Sequence, residues 1–152
     1  SASRARRPDP GPGFDERFTR LHVLAKRSAR HGGSRHSARV YSRGAILWVG
    51  LDPTLGHEQR GVRPCLVVGS GEMAKHQRFP LLLVAPLTST PLSGPLYPLL
   101  SPSASSGLRE RSCVLLDQLR SVDKRRVVRL LGRASAAELV AVDQALRALL
   151  GL

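Results

Sequence analysis

"GAILWVGLDPTLGHEQRGVRPCLVVGS", residues 44–70, decides the architecture of this chain. Two apolar runs of strand length, 44–51 and 65–70, flank a stretch punctuated by Pro53, Gly56, Gly61 and Pro64. Short apolar runs bounded by Gly and Pro read as strands joined by a loop, because a helix of this length would show apolar residues every three to four positions. The loop is unusual in content. Residues 56–64 hold His57, Glu58, Arg60 and Arg63, and the only apolar side chain between the glycines and the proline is Val62.

The same punctuation continues outward. "PLLLVAPL" (80–87), "LYPLL" (96–100), "SCVLLD" (112–117) and, more weakly, "VVRLLGR" (127–133) each have strand length. Such spacing predicts a small, mostly antiparallel sheet or barrel. The C-terminus changes character. Ser135 followed by Glu138 forms a capping-box pattern, and Leu139, Val142, Leu146, Leu149 and Leu150 then fall on one helical face before Gly151. The expected class is therefore mainly β with α, one helix closing against the sheet.

At 152 residues the chain suits one domain with a real core. Its 24 Lys and Arg against 11 Asp and Glu give a formal charge of +13, which argues for a polyanionic partner, nucleic acid or an acidic protein. Residues 1–40 hold +7 of this, with ten basic residues against Asp9, Asp15 and Glu16. That segment is rich in Pro, Gly and Ser and reads as a flexible basic extension to a domain spanning 41–152. Within it Phe14, Phe18, Leu21 and Leu24 or Ala25 stand at helical spacing and could form an amphipathic helix on a partner, whereas His22, His31 and His36 carry no assigned role. No apolar run approaches the roughly 20 residues of a spanning helix, so no membrane is expected and the chain reads as cytoplasmic. Cys65 and Cys113 lack zinc-site spacing and read as ordinary buried thiols, with no metal, disulfide or cofactor implied.

The polar loop suits one chemistry. His57, Glu58 and Arg63 place proton acceptors and a permanently charged fork within seven residues, the equipment needed to cleave an RNA phosphodiester without metal. The 2′-hydroxyl is the nucleophile, one group removes its proton, another protonates the leaving 5′-oxygen, and a cation stabilises the charge gathering on phosphorus. Taken singly, each residue also has an ordinary structural use. Gly56 and Gly61 form turns, Arg60 is a solvated charge, and Glu58 can pair with any arginine.

"RGAILWVGLDPTLGHEQRGVRPCLVV" (43–68), "VAPLTS" (84–89), "YPLL" (97–100), "DQLRSVD" (117–123) and the terminal helix together resemble the MazF/PemK family of toxin endoribonucleases. The resemblance runs in order from about Arg43 to Leu152 and leaves residues 1–40 outside it. It implies an SH3-like barrel with added helices, a homodimer, metal-independent and sequence-selective cleavage of single-stranded RNA, and an acidic antitoxin that blocks the groove. By position in the motif, Arg63 matches the arginine before the proline, Thr88 the threonine that bonds the scissile phosphate, and Glu58 the glutamate of the "EQ" pair. His57 and Asp117 match the histidine and aspartate of the plasmid-borne branch, but that branch carries an arginine where this chain has Leu115, so its His–Asp–Arg set is incomplete here. Gln59 and Arg60 beside them, and Arg120, Lys124 and Arg125 after "DQL", are the expected RNA contacts.

Trp48 is expected in core or dimer packing, and Tyr97 is the better candidate for stacking on a base. Two other functions compete: a toxin of the same fold that poisons DNA gyrase, and an RNA-binding module without chemistry. The gyrase-poisoning relative uses a tryptophan near its chain end, where this chain has "ALLGL" and Trp48 as its one tryptophan. An inert RNA binder would leave the Glu58, Arg63 and Thr88 set unexplained.

Overall fold

A computed structural model describes residues 41–72 and 80–152. The proposed basic extension at 1–40, with its helical stripe, lies outside the described residues. Seven strands follow in order: β1 (Ala45–Gly50), β2 (Val62–Val67), β3 (Leu81–Thr88), β4 (Leu99–Leu100), β5 (Ser112–Val114), β6 (Arg120–Asp123) and β7 (Val127–Arg133), before helix α1 (Ala136–Leu150). Every pairing is antiparallel, along the path β4-β5-β3-β2-β1-β7, with β6 also on β3. The result is the expected mainly β class with a helix: a curled antiparallel half-barrel covered by α1.

The continuous apolar runs of β1, β2 and β3 have a physical reason, since both faces of the sheet are buried. Ile46, Leu66, Ala85 and Leu87 face α1 and pack with Val142 and Ala145. Their neighbours Ala45, Leu47, Val49, Cys65, Val67, Leu82 and Val84 line the inside of the curl together with Leu51 and Val122. Each fully buried leucine here contributes about 2 kcal/mol. In α1 the stripe holds as far as Leu149, but Leu150 is exposed.

β3 organises the sheet. Leu81–Val84 pair with β6, whereas Leu87 and Thr88 pair with β5, so the strand changes partner at Ala85 and Pro86. Pro86 suits the changeover. Its carbonyl accepts from the Leu115 N–H on that edge, so its missing N–H also falls on the edge, at the gap between partners. Between β5 and β6 the chain makes a one-turn 3-10 helix, Leu116–Gln118. The run at 112–117 is therefore a strand only as far as Val114. β2 begins three residues before the expected start, which places Arg63 and Pro64 in the strand, opposite Val49 and Trp48.

α1 is capped as its sequence implies. The Ser135 hydroxyl accepts from the Glu138 N–H at 3.1 Å and Glu138 Oε1 accepts from the Ser135 N–H at 2.9 Å, while Gly151 ends the helix at φ 69°. The serine-rich segment 101–107 is held against β7. Gly107 stands at φ +67°, and a Cβ there would lie 2.2 Å from the Leu131 carbonyl oxygen.

Candidate active site

The loop joining β1 to β2, residues 51–61, is closed at its stem by the Leu51 N–H donating to the Gly61 carbonyl at 2.8 Å. Asp52 Oδ2 accepts from the Gly61 N–H at 3.1 Å. Inside the loop Glu58 shapes its own turn: its carboxylate accepts from the Leu55 N–H at 3.0 Å and its N–H donates to the Leu55 carbonyl at 3.1 Å. One carboxylate oxygen of Glu58 remains for other work, and both Glu58 and His57 are exposed. The two arginines are steadied by carbonyls of the same segment. Arg60 Nη2 donates to Gly56 O at 3.3 Å and Arg63 Nε donates to Arg60 O at 3.0 Å, which leaves the two terminal nitrogens of Arg63 without a partner among the described residues.

The ladder between β2 and β3 ends at Cys65 and Pro86, with Arg63 and Thr88 each two residues beyond that pair. Side chains alternate along a strand, so Arg63 shares a face with Cys65 and Val67, and Thr88 shares one with Val84 and Leu82. Both rows belong to one buried cluster, so the cation and the hydroxyl point to the same side of the sheet, each just beyond that cluster. Thr88 Oγ1 accepts from the Thr90 N–H at 3.2 Å and keeps its own proton for another acceptor.

Asp117 lies on the 3-10 turn, where Oδ2 accepts from the Tyr97 hydroxyl at 2.8 Å. That hydrogen bond, reinforced by the carboxylate charge and slight burial, raises the Tyr97 pKa. The ring expected to stack on a base is therefore tied to a candidate site residue through its hydroxyl. Next to it, Gln118 Oε1 accepts from the Gln59 N–H at 2.8 Å, which joins the loop to the turn.

The remaining expected RNA contacts are placed differently from one another. Arg120 is half-buried and donates to the Leu51 carbonyl at 3.2 Å, at the stem of the loop. Arg125 is exposed but folded onto Asp123 through two nitrogens at 3.0 Å each, a bond that holds the Asp123 carboxyl below its usual range. Lys124 Nζ stands 5.5 Å from the centre of the Tyr41 ring. Trp48 is half-buried between Pro64 and β7 with the Arg129 guanidinium 6.0 Å from its ring centre, and its indole N–H is buried without a partner among the described residues.

A cavity of about 10 Å³ lined by Tyr41, Val67 and Leu81–Leu83 contains none of these groups. Among the described residues no group of three or more His, Cys, Asp and Glu is placed to hold a metal ion. No helix among them is long and apolar enough to cross a membrane.

Residues 42–150 match the family described as PemK-like, MazF-like toxin of type II toxin-antitoxin system. The chain belongs to the MazF/PemK family. Endoribonuclease MazF9 of Mycobacterium tuberculosis is 34% identical over 108 residues, covering 69% of this chain and 92% of the relative. Among solved structures, MazF from Deinococcus radiodurans superposes with a TM-score of 0.61 at 32% identity, covering 73% of this chain and 96% of that one. A MazE–MazF complex from the same organism matches at 33% identity and a TM-score of 0.58, over 74% and 97% of the two chains.

In this MazF/PemK chain, sequence reasoning missed the residues that hold the loop rather than those that line it. Arg126 Nη1 donates to the carbonyls of Gly50, at 3.3 Å, and Asp52. With Arg120 on Leu51, two arginines thus hold three successive carbonyls at the loop's stem. The basic run "LRSVDKRR" gave no sign of this, because an arginine bound to backbone looks in sequence like one exposed to phosphate.

Proposed function

We propose that this chain is the toxin of a toxin–antitoxin pair and cleaves single-stranded RNA at selected sequences by 2′-hydroxyl attack, without a metal ion. The reading is supported by Arg63 and Thr88 falling on the same side of the sheet, each two residues beyond the last β2–β3 pair. Relatives named as endoribonucleases support the reaction class. In the mechanism, the Arg63 fork takes the non-bridging oxygens of the scissile phosphate and the Thr88 hydroxyl donates to one of them. Glu58 or His57 accepts the 2′-hydroxyl proton as the oxygen attacks phosphorus. The P–O5′ bond breaks, and the proton taken from the 2′-hydroxyl is returned through water to the departing oxygen, leaving a 5′-hydroxyl and a 2′,3′-cyclic phosphate. Asp117, bonded by Tyr97, lies on the turn that meets the loop through Gln118 and would complete the polar rim.

The same face explains the partners. It is cationic and open, so an acidic antitoxin segment can occupy it by the attraction that draws RNA, and the solved MazE–MazF complex supports an antitoxin of this kind. The proposed working form is a cytoplasmic homodimer. End-labelled RNA incubated with the chain in EDTA is the test: cleavage to cyclic-phosphate ends is expected, and a strict magnesium requirement would overturn the metal-free mechanism.

A further inference from the structure

Residues 53–60 carry four of the residues assigned to RNA, His57, Glu58, Gln59 and Arg60, and their hydrogen bonds are almost all internal. Leu55 and Glu58 bond each other, Thr54 bonds Asp52, and Arg60 reaches back to Gly56 and is itself bonded by Arg63 of the adjoining strand. Among the described residues one hydrogen bond alone fastens this segment to a distant part of the chain: the Gln59 N–H to Gln118 Oε1, at 2.8 Å and across 59 residues of sequence. The stem is held separately by Arg120 and Arg126. Both glutamines are half-buried, whereas His57, Glu58 and Arg60 on either side of Gln59 are exposed.

We infer that Gln118 is a positioning residue whose side-chain oxygen latches the β1–β2 loop, setting His57 and Glu58 against the phosphate held by Arg63 and Thr88. A loop with a fixed stem and one distal tie has two states, tied and free, and the tie's net strength sets their ratio. The chemistry of the latch is specific. Gln59 offers a backbone N–H, so position 118 needs only an acceptor of the right length, and the amide NH2 of Gln118 is dispensable. Gln118 is well placed for this, since the 3-10 turn carrying it is fixed beneath by buried Leu116 and by the Gln118 N–H bond to the Leu115 carbonyl at 3.1 Å. The role rests on the endoribonuclease reading for its consequence, although not for its existence.

Two substitutions separate the possibilities. Gln118→Leu keeps the size and removes the acceptor, while Gln118→Glu keeps the acceptor and changes the charge. In the Leu variant the Gln59 amide should exchange with solvent about tenfold faster, while the Leu139 amide in α1, bonded to Ser135 O, keeps its protection and reports that the fold is intact. RNA cleavage should lose about tenfold in kcat with KM changed much less, the signature of a site less often assembled. The Glu variant should recover both Gln59 protection and kcat, with KM raised because an added negative charge repels RNA. Unchanged Gln59 exchange in the Leu variant overturns the latch. A fall in kcat with Gln59 still protected also overturns it and makes Gln118 a direct RNA contact. If the unaltered chain fails to cut RNA, the functional reading fails, and the exchange comparison still decides the latch.

Discussion

Arg63 on β2 and Thr88 on β3 lie on the same side of the curled sheet, each two residues beyond the last β2–β3 pair, Cys65 and Pro86. Neither is a loop residue. Each is held by a strand whose next inward-facing neighbours are packed, so the backbone of the proposed phosphate site needs little reorganisation on binding.

Arg63→Ala should therefore cut RNA cleavage by at least about 100-fold, the scale for removing one group that stabilises transition-state charge. Stability should change by no more than about 0.5 kcal/mol, since the side chain is exposed. Thr88→Val, which keeps the shape and removes the hydroxyl, should cost about tenfold. Single-turnover cleavage beside a thermal melt checks both, and a folded Arg63→Ala variant that cuts at the normal rate would take Arg63 out of the mechanism.

The sequence was legible where burial is two-sided or the caps are explicit. β1, β3 and α1 appeared at nearly their true limits because unbroken apolar runs and the Ser135–Glu138 box have few other readings. β6 did not, because "RSVD" contributes only Val122 to the core and the rest is polar. β2 was read short because Arg63 and Pro64 look like loop residues, yet Pro64 is paired with Trp48 just before the ladder to β3 begins at Cys65. At the site, residue types pointed to the groups that could do chemistry. The partners of Gln118 and Arg126 depend on which carbonyl or N–H the fold brings near, and one chain's spacing contains no record of that.

The helix cap predicts an acid limb. Burial alone would raise the Glu138 pKa, but the N–H groups of Ser135 and Ser101 and the Ser135 hydroxyl outweigh it and lower the value below the ordinary 4.5. A carboxylate depressed in the folded state stabilises fully above its unfolded pKa, and that contribution disappears as pH falls through the folded one. Denaturation curves should thus show stability falling below about pH 4.5, with Glu138→Gln flattening this limb. Ser135→Ala should cost about 1 kcal/mol at neutral pH. An acid limb identical in the Gln variant would show that other carboxylates carry it.

Cys65 should be silent towards alkylation. Burial pushes its thiol up to about 12, with Arg120 pulling slightly the other way, and only the thiolate is a competent nucleophile. Cys113 is buried as well. At pH 8 in the native state neither thiol should react faster than the chain unfolds, and both should titrate at once in denaturant. Rapid labelling of Cys65 in the native protein would mean that β2 opens locally.

Charge outside the described residues should serve RNA affinity rather than the choice of cleavage position. Residues 1–40 hold +7 of the formal +13, while the family match begins at residue 42. Each cation that neutralises a phosphate of single-stranded RNA releases counterions and steepens the dependence of log affinity on log salt by about 0.7. If the ten basic residues of this segment meet RNA, a 41–152 chain should bind more weakly at low salt, with a slope shallower by about 0.7 for every phosphate that no longer has its cation. Its cleavage position should not move, because Arg63, Thr88 and the β1–β2 loop remain. The opposite pattern, an unchanged slope with a large drop in melting temperature, would mean that Phe14, Phe18 and Leu21 are buried against something rather than serving the RNA. Binding isotherms at several salt concentrations and one melt for each chain decide between the two, since electrostatic attachment moves the first measurement and packing moves the second.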